Sequence, residues 1–175
     1  MARLRKSIRY HRRANLQDAV WKMGLLFVFG FVIIILGIIW YNFNDAINAD
    51  PAMPIEAKNT STNISSYFAS AFDYAFGFAW VLLFIGSIIV SARFNADPKY
   101  VPLYIIAILV VVFFAQILSN TWQDFANNAS IYSYSVRYPI MNWFFNNFAV
   151  VTLLDMIVVG IALYSNTSAL GGGGM

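Results

Sequence analysis

The stretch MGLLFVFGFVIIILGIIWY, Met23 to Tyr41, decides how the rest of the chain is read. It holds 19 residues and no charge. At about 1.5 Å per helical residue such a run reaches across a hydrocarbon core about 30 Å thick. A secretory signal core is shorter, and Asn42 to Asn48 provide no small-x-small cleavage site beside the run. The spacing predicts an uncleaved transmembrane helix, with Trp40 and Tyr41 as its interfacial belt.

Outward from this run, three more apolar segments follow. Tyr67 to Val90 is the second span, and it opens on YFASAFDYAFGFAW, in which Ala71, Ala75 and Ala79 recur at four-residue steps. On a helix these form a small-residue stripe of the kind that lets membrane helices approach closely. Val101 to Leu118 is the third span and carries no charge; Phe148 to Tyr164 is the fourth. The link from Ser91 to Tyr100 is short, and Pro98 and Pro102 suit a helix entrance. Residues 42–66 are expected to form a polar loop containing Pro51, Pro54 and KNTSTNISS. Residues 119–147, rich in Trp, Tyr, Phe and Asn, are expected as a loop or re-entrant piece at the interface. Gly24, Gly30, Gly37, Gly86 and Gly160 are read as helix-packing positions. The fold class is thus all-α, an integral-membrane bundle of four transmembrane helices with a basic N-terminal interfacial segment.

Composition agrees. Of 175 residues 60% are hydrophobic and 11% charged, about half the charge of an ordinary soluble domain, so most of the surface cannot face water. Seven of the eleven basic residues lie in the first 22 positions: Arg3, Arg5, Lys6, Arg9, Arg12, Arg13 and Lys22. Residues 1–22 are therefore set apart as a basic tail with helical spacing, 23–164 as the membrane domain, and 165–175 as a glycine-rich tail that is flexible by composition. The basic tail and the 91–100 link together hold nine basic residues, against Lys58 and Arg137 in the other two connections. By the positive-inside rule both termini belong on the interior side.

The residue types restrict the chemistry. Cysteine is absent and His11 is the one histidine, so disulfides, thiolate nucleophiles, histidine triads and Cys/His metal centres lack their parts. No phosphate-binding loop, dinucleotide fingerprint or nucleophile elbow occurs. The chain is read as a non-enzyme, without cofactor or metal site. Two carboxylates fall inside spans: Asp155 near the middle of the fourth, and Asp73 about two turns into the second. A charge at the centre of a span costs a few kcal/mol, so each must meet protein or an interface. A hydrogen-bonded structural role is favoured for Asp155 over an ion or proton site; Asp73 either snorkels toward the outer interface or lines a pocket there. Asn142, Asn146, Asn147 and Gln116 sit at or near span ends, where amides cap helices or bond across interfaces. The cluster Arg3, Arg5, Lys6, Arg9, Arg12 and Arg13 is dense enough to contact phosphates of anionic lipid or, without sequence readout, of nucleic acid.

The hairpin FAWVLLFIGSIIVSARFNADPKYVPLYIIAILVVVFFAQILSNTWQDF, followed by a polar loop and NWFFNNFAVVTLLDMIVVGIALY, resembles small polytopic membrane proteins of bacterial and archaeal viruses over roughly the C-terminal 100 residues. The basic tail departs from the shorter N-termini of that layout. The resemblance implies a component of a virion membrane, with capsid or spike proteins as partners in a larger assembly, and names no activity. A holin-like or ion-conducting pore and an accessory subunit of a membrane enzyme complex stand as the alternatives.

Overall fold

In the computed structural model the described residues are mostly helical. Residues 2–93 and 97–165 are described, with the backbone alone described for 2–20 and 22; among these there is no strand. The elements are α1 (Ala2–Ala49), α2 (Ile55–Ala92), a 3-10 turn (Pro98–Tyr100), α3 (Val101–Ala126), α4 (Tyr132–Ser135), α5 (Pro139–Asn146) and α6 (Phe148–Tyr164). Among the described residues three stretches are long and apolar enough to cross a membrane: Met23–Ala49 within α1, all of α2, and Pro98–Ala126. A fourth arm is broken, since α5 and α6 meet at 74°. The chain is therefore a multi-pass helical membrane protein.

The backbone of α1 is one unbroken helix of 48 residues, about 72 Å long, so the tail residues continue directly into the span. The side chains of Arg3, Arg5, Lys6, Arg9, Arg12 and Arg13 lie outside the described residues, as does the glycine-rich tail beyond Ser165.

The expected polar loop over 42–66 is corrected. Helix α1 ends at Ala49 and α2 begins at Ile55, leaving only residues 50–54 as a turn. The polar residues of this region are helical because they satisfy one another across the pair. Trp40 Nε1 donates to Ser65 Oγ at 2.8 Å, and Ser61 Oγ donates to Asn44 Oδ1 at 2.8 Å. Nearer the tip, Lys58 Nζ donates to the Asn48 carbonyl at 3.2 Å. Pro54 stops the turn, with φ −58° and ψ 147° just before the first turn of α2. Trp40 stacks on Phe68 at 5.5 Å and Tyr41 is buried, so both serve the helix pair as well as any interface. The third span also lengthens, since α3 continues past Leu118 to Ala126.

The alanine stripe is corrected too. Ala71 and Ala75 are exposed and Ala79 is half-buried, whereas Ala69, Asp73 and Phe76 are buried on the part of the α2 surface opposite Ala71 and Ala75. The face that turns inward is set by Asp73, the one residue of that segment with a buried charge to satisfy. At the other end Asp97 caps the 3-10 turn by accepting from Lys99 N at 3.1 Å, and its carboxylate pairs with the Lys99 ammonium.

Within segment 119–147, expected as a loop or re-entrant piece at the interface, residues 127–134 are largely exposed, whereas α5, bent against α6 as in a broken span or a re-entrant loop, packs into the centre. Tyr138, Met141, Phe144 and Phe145 are 0–2% exposed, and they share one cluster with Ile33 and Ile34 of α1, Phe76 of α2 and Trp122 of α3. Helix α6 then packs along α3 and α2. Tyr104 Oη donates to the Met156 carbonyl at 2.7 Å, and a Cβ at Gly160 would come within 2.6 Å of the Tyr104 ring.

Candidate functional site

Helix α5 and its seat form the site that the fold is built around. Tyr138–Pro139 starts the helix: Pro139 lacks an N–H and its fixed φ suits the first helical position. A helix start leaves several amide N–H groups without intrahelical partners, and burial makes each of them costly. No side chain of its own segment caps α5. Asp73, from the middle of α2, does so instead: Ile140 N donates to Oδ2 at 2.9 Å and Met141 N to Oδ1 at 2.8 Å. Asn142 N reaches the Tyr138 carbonyl at 2.9 Å, which closes the first-turn account. The carboxylate also opposes the positive end of the helix dipole.

The far end of α5 is held from α3. Ser119 Oγ of α3 donates to the Asn146 carbonyl at 3.0 Å. Asn142 joins three elements: its Oδ1 accepts from Trp122 Nε1 at 3.1 Å, and its Nδ2 donates to the Ser135 carbonyl at 2.7 Å. Ser135 Oγ in turn donates to the Ala126 carbonyl at 2.8 Å, fastening α4 to the end of α3.

Aromatic contacts complete the seat. Phe145 lies 4.3 Å from Trp122 and 5.3 Å from Phe76, ring centre to ring centre, and Phe144 lies 5.2 Å from Phe76 and 5.3 Å from Trp80. Each such pair is worth about 0.5–1.5 kcal/mol beyond its buried area. Three glycines make room. A Cβ at Gly30 would strike the Phe145 ring, one at Gly37 would strike the Tyr138 hydroxyl, and one at Gly77 would sit 3.1 Å from Ile140 Cγ2. Of the glycines read as packing positions, Gly30, Gly37 and Gly160 are in close contact, while Gly24 and Gly86 have nothing within 4 Å of a built Cβ. Tyr138 Oη is buried and makes no hydrogen bond among the described residues.

Asp73 is thus neither at the surface nor lining an open pocket: both its oxygens are occupied by α5. Asp155 is elsewhere, seven residues (about 10 Å) along α6 from Phe148, and partly exposed next to the Met156 carbonyl that holds Tyr104. The two aspartates lie in different parts of the fold. Among the described residues no three His, Cys, Asp or Glu side chains gather as a metal site. The seat supplies no nucleophile paired with a base. What it does is lock a short helix laterally among three longer ones. Sequence reading missed Ser119, Ser135, Tyr138 and Gly77 in this lock, while Asn142, read as an amide that caps or bonds across an interface, does bond across to Trp122 and Ser135. The available signal was Tyr138–Pro139, a helix start within a segment too apolar to lie in water.

Above the seat stand the paired ends of α1 and α2, which extend about 12–15 Å beyond the Trp40–Ser65 contact. Their base is braced from α4 and its neighbour: Tyr134 Oη donates to Asn42 Oδ1 at 3.2 Å, and the Arg137 guanidinium lies 4.0 Å over the Tyr41 ring. The tip carries Asp45, Asp50 and Glu56 against Lys58.

No protein-family model matches the chain, and neither a curated protein nor a solved structure does.

Proposed function

We propose that this chain is a non-enzymatic structural and assembly protein of a membrane, a virion membrane component with four crossings. The observation that carries this reading is the filled centre. Where a conducting protein keeps polar walls, the most buried residues here are Trp122, Tyr138, Phe76, Phe144 and Phe145, with Asp73 consumed as a cap. Both termini lie on the interior side. Lys58 and Arg137, the two basic residues assigned to the outside, do sit at the same end of the molecule, where Lys58 joins α1 to α2 and Arg137 covers Tyr41. The α1–α2 projection meets capsid or spike proteins. The helical basic tail, with Arg3, Arg5, Lys6, Arg9, Arg12 and Arg13, meets lipid headgroup or genome phosphates.

Removing residues 1–13 tests the tail. Binding to anionic vesicles or to DNA should fall at least ten-fold at low salt, and the salt dependence of what remains should flatten. Unchanged binding at low salt removes the tail from the account. Proteins retained in mild detergent identify the assembly: capsid or spike proteins support the reading, whereas redox subunits would favour the accessory-subunit alternative.

The pore is the second reading, and the 74° break between α5 and α6 favours it, because transporters and channels place broken helices at their ion sites. Proteoliposomes decide between the two. The scaffold keeps them tight to protons and small ions across a pH series; a leak abolished by Asp155→Asn would establish the pore.

A further inference from the structure

The lipid side of α3 carries a pattern that neither the fold nor the proposed scaffold role uses. Ile106, Leu109, Phe113, Gln116 and Asn120 are all exposed, and their steps of three, four, three and four residues are those of the a and d positions of a coiled coil. The opposite side of the helix, through Val111, Ala115, Ser119 and Trp122, is the side buried against the rest of the molecule.

The amides do not suit lipid. Lys99 and Asp124, the charged residues flanking this segment, are 25 residues or about 37 Å apart along the helix. A core about 30 Å thick centred between them places Gln116 about 8 Å inside the hydrocarbon and Asn120 near its edge. Gln116 Nε2 donates to Asn120 Oδ1 at 2.9 Å. That bond uses one donor and one acceptor of the pair, and the other carbonyl oxygen and the other amino group belong to two exposed side chains. Acyl chains offer neither a donor nor an acceptor, and polar groups in that position associate helices.

We propose that α3 is a self-association face, and that the occupant of this seam is α3 of a second copy, parallel and in register about a twofold axis along the membrane normal. The spare carbonyl and amino group are self-complementary. A twofold axis sets each amide pair against its own copy, so that the donor of one meets the acceptor of the other. Ile106, Leu109 and Phe113 interdigitate below, and polar residues at a and d positions fix register and partner number, as they do in coiled coils. Copies inserted in one membrane already share an orientation, which makes the parallel pair the available one.

The chain has no cysteine, so single cysteines report on this directly. In native membranes, oxidation should join copies of Phe113→Cys and of Asn120→Cys into dimers. Phe114→Cys, on another face of α3, and Leu82→Cys, exposed on α2, should remain monomeric. Energy transfer between labelled copies in proteoliposomes should show about ten-fold weaker association for Q116L/N120L, whose substituted positions are exposed and not needed for the fold. Crosslinking of Phe114→Cys or Leu82→Cys as readily as of Asn120→Cys, or undiminished association of the double variant, overturns the proposal. It rests on α3 being a span: removal of the chain from membranes by an alkaline wash would overturn that reading, and the seam with it, whatever the crosslinks show.

Discussion

Asp73 shows how a single residue can be misplaced by rules that work for the average case. An aspartate two turns into an apolar helix is expected to reach for the nearest water, because an unpaired charge in hydrocarbon is costly. Here it is 3% exposed, and two backbone N–H groups of α5 take the place of water. Those donors come from residues 67 and 68 positions away, so nothing local to Asp73 could announce them. Removing the acceptor leaves both donors buried and unsatisfied. Asp73→Ala should destabilise the protein by about 2–4 kcal/mol, and Asp73→Asn, which keeps one carbonyl oxygen but turns an N–H toward the other donor, by about 1–2 kcal/mol. Thermal unfolding in mild detergent, followed through tryptophan emission, checks both. Equal stability of the wild type and Asp73→Ala would mean that the cap contributes nothing.

Among the elements, uncharged runs of membrane length were the easiest to read, because the cost of charge in hydrocarbon belongs to each residue separately. Met23–Tyr41 and Val101–Leu118 lie within the first and third long apolar stretches of the structure. The start of α2 was not legible. KNTSTNISS has no apolar stripe, and it is helical only because Ser61 and Ser65 find Asn44 and Trp40 on α1. Helix α5 was half legible: its aromatic content excluded a watery loop, but its burial depends on Gly30, Gly37 and Gly77 lying opposite Phe145, Tyr138 and Ile140. That pairing yields a prediction about elements. Gly37→Ala drives a methyl into the Tyr138 hydroxyl and should cost about 1–3 kcal/mol, whereas Gly24→Ala and Gly86→Ala, facing open space, should change stability by less than about 0.5 kcal/mol. Tyr138→Phe removes a buried hydroxyl that makes no hydrogen bond among the described residues, so alone it should be neutral or stabilising, and combined with Gly37→Ala it should recover most of the loss. The same unfolding assay reads the full cycle; simple additivity would show that Tyr138 and Gly37 do not press on each other.

At the scale of the whole molecule, three long apolar helices enclose a short one and thicken into a helical projection at one end. The bent fourth arm decides the topology. If α5 enters from the side and α6 completes the crossing, the chain crosses four times, and Ser165 returns to the side of the 97–100 turn. The most direct measurement is labelling of single cysteines by a membrane-impermeant thiol reagent in sealed, oriented vesicles, which the absence of native cysteine makes clean. Met53→Cys in the α1–α2 turn and Ala129→Cys before α4 should react from the outside. Ser7→Cys, Lys99→Cys and Ser165→Cys should react only after the vesicles are opened. Reaction of Lys99→Cys from the same side as Met53→Cys, or of Ser165→Cys from the side opposite Lys99→Cys, would contradict the four-crossing bundle.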